Sequence, residues 1–508
     1  MNKIKRTLLG LVLVVPVLYF FTGCKKFLDR KPLEATLDDL TGGGLEGQAI
    51  GLYGALRNSA SEPYVGDGFQ SIPWLGMQSF RSDDQEIVAD AGAAGWHQTY
   101  DFFNYTKDDW GAGVYWDKHY VFIGLCNSLL QLADSLQLTD EASLINVAEG
   151  RWMRAFAYFD LVRNFGEVPK IDFKIYNPSD AQVAKSSVAD IYALIDADLT
   201  YAEQYLPDSW LDPKFIGRLT KGSAKTLHAK SLIYQKQYAQ SLALCEDIIN
   251  SNQYQLFVPY ALLWKTANEN SSESIFEIQA YQSAGRAIDY WSWFGTSQGV
   301  RGSDADGWNL GWGWNTPTQK LVDAYEPGDP RKQGTILFSG KPDGTSEEGG
   351  YGRDVPPYTN AKYWNKKVYV DPAEQAVTGD IHGAGFVNYR ALRYADVILM
   401  AAEAANELGQ GELAAQYLEM IRARARNGND AVLPKVDFVD QMQMRKAIQH
   451  ERRIEFAMEQ ERFYDLVRWG AADTVLAPLG YQPKHKYFPI PQNAITASGG
   501  KLLQNPDY

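Results

Sequence analysis

Two groups of side chains in this chain have types and spacing that could do chemistry. The first is an alternation of carboxylates and guanidiniums from Arg445 to Gly470, RKAIQHERRIEFAMEQERFYDLVRWG. Two carboxylates in unlike surroundings can divide the work of a general acid and a general base. The spacing here points elsewhere. Arg452 and Glu455, Glu459 and Arg462, and Asp465 and Arg468 each stand three residues apart, the separation that brings opposite charges together on one helix face. Ile448, Ile454, Phe456, Met458, Phe463, Leu466 and Trp469 fall on different sides of the same helical wheel. The segment therefore reads as one long helix enclosed by neighbours, whose charges must be paired. A structural ion network is the expectation, not a catalytic dyad in an open cleft.

The second group is aromatic. Trp291, Trp293, Trp308, Trp312 and Trp314 lie close together beside Tyr290 and Phe294, with glycines between the later ones. Flat rings suit the apolar C–H faces of sugars, and polar neighbours such as Arg301, Asp304, Asp306 and Asn309 can bond hydroxyls. The same rings could instead form a small core of their own, pack on the scaffold, or bind a partner protein. A second irregular stretch, Ser59 to Asp109, carries Trp74, Arg81, Asp83, Asp84, Trp96, Tyr100 and Tyr105. Trp74, Arg81 and Trp96 join the candidate ligand contacts. Arg81-Ser82-Asp83-Asp84 also reads as a solvated or ion-paired turn, since charges are mostly exposed. Asp304-Ala305-Asp306-Gly307 partly matches a calcium loop, but the later ligand positions are missing. No metal and no cofactor are expected.

Helices must position these groups. Helical spacing runs over Leu45–Asn58, Trp116–Leu136 and Ala142–Asn164, and over Ser187–Leu206 with Ser187 as the N-cap. Lys221–Asn250 reads as a helical hairpin turning near Lys236-Gln237, and Tyr389–Arg426 as a second, turning at Gly409-Gln410-Gly411. Pairs of this length approach tetratricopeptide units, so the fold class is mainly α, a stack of helical hairpins. Between the hairpins, residues 281–387 lose helical period and gain Gly, Pro, Ser and Asp. A structureless insert this long is usually functional. Its aromatic run ends at Thr316-Pro317-Thr318-Gln319, which reads as a capping box with Pro at N1.

Composition bounds the function further. Residues 1–23 carry Lys3, Lys5 and Arg6, then an apolar run from Leu8 to Phe21 that is too short to span a bilayer and reads as a signal peptide. Phe21-Thr22-Gly23-Cys24 resembles a bacterial lipobox, which implies that Cys24 is acylated and anchors the mature domain, 24–508, to a membrane. Removing the signal moves the net charge from −13 to −16. Such an acidic chain argues against nucleic acid, which needs concentrated Lys and Arg. Cys126 and Cys245 sit among apolar residues and read as buried thiols. The six histidines are scattered, and no zincin, nucleophile-elbow or P-loop motif is present.

The 445–470 stretch carries a resemblance. Glu-Arg-Arg-x-Glu-Phe followed by Glu-x-Glu-Arg-Phe-x-Asp-Leu-x-Arg-Trp resembles the C-terminal signature of the SusD/RagB family, the surface nutrient-binding lipoproteins of Bacteroidetes. RAFAYFDLVRNFGEVP, GRLTKGSAKTLHAK, LRYADVILMAAEA and the ending LQNPDY resemble the same family. The resemblance implies a tetratricopeptide-like lipoprotein of the outer membrane, facing outward. It would bind a glycan without chemistry and pass it to a SusC-like TonB-dependent transporter. A glycoside hydrolase using loop carboxylates such as Asp304 or Asp306, and a scaffold lipoprotein taking peptides, are the alternatives.

Overall fold

The structure is a computed structural model, and it describes residues 43–57, 68–87, 95–281, 292–303, 307–373 and 385–508. Cys24, Trp291, Tyr290, Asp304 and Asp306 lie outside the described residues, so the lipidation, calcium-loop and hydrolase readings that use them are not addressed by it.

Polar caps start the helices: at Ser187 and before Lys221 as the sequence places them, but at Asp109 and Asp440 earlier than the expected starts at Trp116 and Arg445. Asp109 accepts from the Ala112 amide, Asp140 from Ser143, Ser187 from Asp190, Thr220 from Ser223 and Asp440 from Gln443. Each satisfies one of the orphan N–H groups of a first helical turn. The helices Trp110–Ser135, Glu141–Phe165, Val188–Tyr205, Lys221–Tyr234 and Tyr238–Ser251 pack each on the next. Tyr238–Ser251 then packs directly on Tyr394–Glu407, which pairs with Gly411–Arg426. The helical stack is thus continuous in space although the insert interrupts it in sequence. Gly44–Leu56 lies against the two long early helices, and Gln441–Glu455 against the last pair.

The insert leaves and returns through a two-stranded neck. Ser274–Ile278 pairs antiparallel with Tyr389–Arg393, with Glu277 opposite Arg390 and Ile278 opposite Tyr389. The second hairpin therefore begins at Tyr394; the residues before it are strand. Inside the insert, Val300, Trp308, Leu310, Leu337, Val355, Trp364 and Tyr369 form a small core separate from the helical one.

The Arg445–Gly470 segment is not one helix. It is helical to Glu455, passes through positive φ at Met458 (67°) and Gln460 (66°), and resumes from Arg462 to Arg468. The physical reason lies at the Glu455 carbonyl. Instead of accepting the next helical amide, it accepts from Arg393 Nη2 at 2.9 Å, Lys367 Nζ at 3.1 Å and the Tyr260 hydroxyl at 3.2 Å. Tertiary donors take over the role of the next turn. Of the three expected ion pairs only Asp465–Arg468 forms, at 2.7 Å. Arg452 turns to Asp396 and Asp465. Glu455 meets Arg331, Arg393 and Arg424, and Glu459 meets Lys367 and Arg393. An ion network exists as expected, but its partners come from the insert and the second hairpin.

Candidate functional site

The aromatic run of the insert and the early loops meet in one cluster of indoles. Trp293 and Trp312 have ring centroids 4.9 Å apart, and Trp312 and Trp314 4.4 Å apart. Trp314 meets the ring of Trp96 at 5.6 Å, edge on, and Trp96 meets Trp110 at 5.3 Å. His97 packs against Trp314 at 4.1 Å. Trp293 is buried beneath the others, at 5 % exposure. Trp96, Trp312 and Trp314 are half-buried, and Trp110 is 44 % exposed. The result is a ridge of indole edges and faces that reaches solvent, seated on Ile72 and Trp293.

Local backbone geometry presents these rings. Trp96, Trp110 and Trp293 are each the first residue of a helix, where the side chain is held by a fixed turn at the edge of the scaffold. Trp312 and Trp314 are carried by a hydrogen-bonded return of the loop: the Trp312 amide donates to Thr296 O at 2.8 Å and the Trp314 amide to Ser297 O at 2.9 Å. The two segments lie so close that a Cβ at Gly299 would stand 2.0 Å from Leu310 O. Only glycine allows that approach. Gly313 between the two indoles has φ +67°, so the turn that puts both rings on one side also needs glycine. Gln298 Oε1 accepts from Asn315 at 2.6 Å and from Asn365 at 2.9 Å, locking the base of the loop.

The early loop is joined to the insert by main-chain bonds. Gln85–Glu86 pairs antiparallel with Thr316–Pro317, so these two residues are strand and Thr318 is the helix cap, accepting from the Leu321 amide. The Thr318 hydroxyl also donates to Asp83 O at 2.9 Å. Asp83 and Asp84 are buried and ion-paired, with Arg462 Nε 2.9 Å from Asp83 and Arg453 Nε 2.9 Å from Asp84. Burial raises Asp83, but Arg462 and Arg453 outweigh it and hold the carboxyl below its ordinary value. Burial and the neighbouring Asp83 push Asp84 up. These carboxylates bind guanidiniums inside the protein.

Three expected ligand contacts are scaffold residues instead. Arg81 is fully buried, with its guanidinium 3.9 Å from the Phe463 ring centre and 4.0 Å from that of Phe488, and it donates to Asn164 and Met77 O. Trp74 is 2 % exposed and donates to Asp160 at 3.3 Å. Trp308 stacks on Tyr369 in the insert's own core, with the rings 8° from parallel. Arg301 and Asn309 form an isolated antiparallel bridge, and both are partly exposed; a Cβ at Gly313 would meet Arg301 Cβ at 3.0 Å, which sets Arg301 beside the Trp312–Trp314 turn. Trp110 was not singled out by its sequence context, because at a helix start it looks like any apolar core residue. Among the described residues no group of three metal-binding side chains occurs.

The sequence model of the SusD family matches residues 272–508, and a second, described as starch-binding associating with outer membrane, matches residues 74–233. The chain belongs to the SusD/RagB family. Among curated SusD-like relatives, SusD-like protein P2 of Formosa agariphila is 26% identical over 453 residues, covering 84% of this chain and 86% of its own. A SusD-like protein of Bacteroides ovatus is 24% identical over 406 residues, 72% of this chain and 67% of its own. Among solved structures, a laminarin-binding SusD-like protein superposes with a TM-score of 0.74 at 26% identity, covering 92% of this chain and 99% of that one. Surface glycan-binding protein A from Bacteroides thetaiotaomicron, solved with laminarihexaose, gives 0.73 at 23% identity, covering 91% and 99%; at that identity the likeness is one of fold. The SusD family match includes the broken segment described above, and the indole ridge lies where the early helices and the insert meet. Among the described residues no helix is long and apolar enough to cross a membrane.

Proposed function

We propose that this SusD-family protein captures an extracellular glycan on the indole ridge and hands it to a SusC-like TonB-dependent transporter in the outer membrane. Cys24 supplies the lipid anchor, so the domain stays at the membrane while its ridge faces the medium. One observation carries the reading: Trp96 and Trp110 from the early helices and Trp312 and Trp314 from the insert form one continuous, partly exposed cluster. A soluble protein leaves four indoles at its surface only where they meet something apolar and flat. Sugar rings fit, with Arg301 and Asn309 beside the ridge as hydrogen-bonding partners for hydroxyls. A relative that binds laminarin makes a β-glucan the first polymer to test.

The test is retention on a polysaccharide panel, laminarin included, by the soluble mature protein. Trp312→Ala should lower affinity about tenfold to thirtyfold, the loss of ~1.4–2 kcal/mol expected of a central aromatic contact. Trp312→Phe should keep part of it. Unchanged glycan retention by Trp312→Ala, together with weaker co-purification of the transporter, would assign the ridge to protein docking instead.

A further inference from the structure

A second recess opens away from the indole ridge and shares no residue with it. It lies at the far end of the signature segment and has a volume of about 430 Å³, within the size range of small-molecule sites. Six aromatic rings line it: Tyr192, Tyr234, Tyr238, Tyr464, Trp469 and Tyr487. They come from the helices Val188–Tyr205, Lys221–Tyr234 and Tyr238–Ser251 and from the chain around and after Arg462–Arg468. It adjoins a smaller recess of about 150 Å³ that shares Lys236, Tyr238, Glu403, Arg468 and Trp469.

The charge of this recess runs against that of the protein. Four cationic side chains and one carboxylate line it, in a chain of net charge −13. The two deeper cations are compensated. Arg163 is held by Asp160 at 2.5 Å, and Arg468 by Asp465 at 2.7 Å and by Glu403. Glu403 also accepts from Trp469 Nε1 at 3.2 Å, which fixes that indole in the wall. The remaining two cations, Lys236 and Lys486, are exposed at the mouth and have no carboxylate partner among the described residues. The Lys486 ammonium lies 5.0 Å from the Tyr487 ring centre, alongside an aromatic wall.

We propose that this recess is a second saccharide site, and that it takes a short anionic sugar, with a carboxylate or sulfate ester held by Lys236 and Lys486 and the ring faces against Tyr238, Trp469 and Tyr487. Aromatic walls alone would suit any sugar; the unpaired lysines select the charged one. The size argues against a protein partner. A stable protein interface buries on the order of 1,000 Å² or more, whereas this recess encloses space for one or two sugar rings. Its carboxylate is already committed to Arg468 and Trp469, and Glu407 of the adjoining recess is paired with Arg445, so both are compensated toward an anionic ligand.

The test is calorimetric titration of the full mature protein with three disaccharides: one containing glucuronate, one bearing a sulfate ester, and a neutral counterpart. The anionic sugars should bind at least tenfold more tightly than the neutral one, and their affinity should fall as salt rises. Lys236→Gln with Lys486→Gln should lower anionic-sugar affinity by about tenfold per lysine, since each removes one charge-assisted contact. Both lysines are exposed, so the double variant should keep the parent's unfolding midpoint. Trp312→Ala should leave this binding intact, which separates the recess from the ridge. The two anionic arms decide between carboxylate and sulfate. Equal affinity for charged and neutral sugars would overturn the proposal, as would full anionic binding by the double lysine variant. Displacement of the sugar by an acidic tyrosine-containing peptide of higher affinity would assign the recess to polypeptide.

Discussion

Replacing Glu455 with Ala tests the idea that the signature segment is the clamp between insert and helical stack. Glu455 is fully buried. Its carboxylate accepts from Arg393 Nη1 at 2.7 Å, from Arg331 Nη1 at 3.1 Å and from Arg424. Arg331 belongs to the insert; Arg393 and Arg424 belong to the neck strand and the second hairpin. Each guanidinium keeps another partner: Arg331 has Asp329 and Glu451, Arg393 has Glu273 and Glu459, and Arg424 has Glu273. Removing Glu455 withdraws a carboxylate bonded to all three buried guanidiniums, while Asp329, Glu451, Glu273 and Glu459 stay beside them. Breaking a buried ion pair costs about 3–5 kcal/mol, and the remaining carboxylates place the expected loss toward the lower end of that range. The assay is urea unfolding at pH 7, comparing Glu455→Ala and Glu455→Gln with the parent. Gln keeps acceptor geometry and should lose less than Ala. A loss under about 1 kcal/mol for Glu455→Ala would refute the clamp, since a neutral buried network would then serve as well. The acid limb supplies an independent check. Burial opposes ionisation of Glu455, but Arg424, Arg393 and Arg331 outweigh it and hold the carboxyl well below its ordinary value. A depressed pKa contributes stability that is fully present above the unfolded value, near 4.3, and is lost as pH falls from there through the depressed folded value. Glu455→Ala should therefore shallow the loss of stability on acidification as well as lower the plateau.

Other expectations concern the ridge and its surroundings. Gly299→Ala puts a methyl into Leu310 O, should cost roughly 1–3 kcal/mol by overpacking, and should reduce glycan retention by displacing the loop segment that carries Trp312; unfolding curves and retention assays read the two effects. Burial pushes the Asp101 carboxyl up to about 7. A raised folded pKa means the folded state keeps the proton longer, so stability should fall as pH rises from about 4 to about 7 and level off above. Asp101→Asn should remove that slope in melting temperatures measured at pH 5 and pH 8. Cys126 and Cys245 are free and buried, with thiols pushed well up by burial, so neither should alkylate with iodoacetamide until the protein is unfolded.

Much of this architecture is local and therefore visible in the residues themselves. The cap Ser187, the hairpin turns at Lys236-Gln237 and Gly409–Gly411, and the apolar spacing of the long helices act within a few residues of one another. A helix start depends on its own first turn, so reading it needs no knowledge of the rest of the molecule. The aromatic richness of the insert and the family signature were likewise on the surface of the sequence.

What the chain could not show were relations between distant residues. Glu455 and Glu459 looked paired to arginines three residues away, yet their partners are Arg331, Lys367, Arg393 and Arg424. The same distant donors end the helix at Glu455. Among the tryptophans, type and spacing are nearly uniform, but packing makes Trp74 and Trp308 core, sets Trp293 beneath the ridge, and leaves Trp96, Trp110, Trp312 and Trp314 partly open. Composition determined that this protein carries many indoles in its loops. Only tertiary structure decided which reach solvent, because exposure depends on what the rest of the chain lays over each ring.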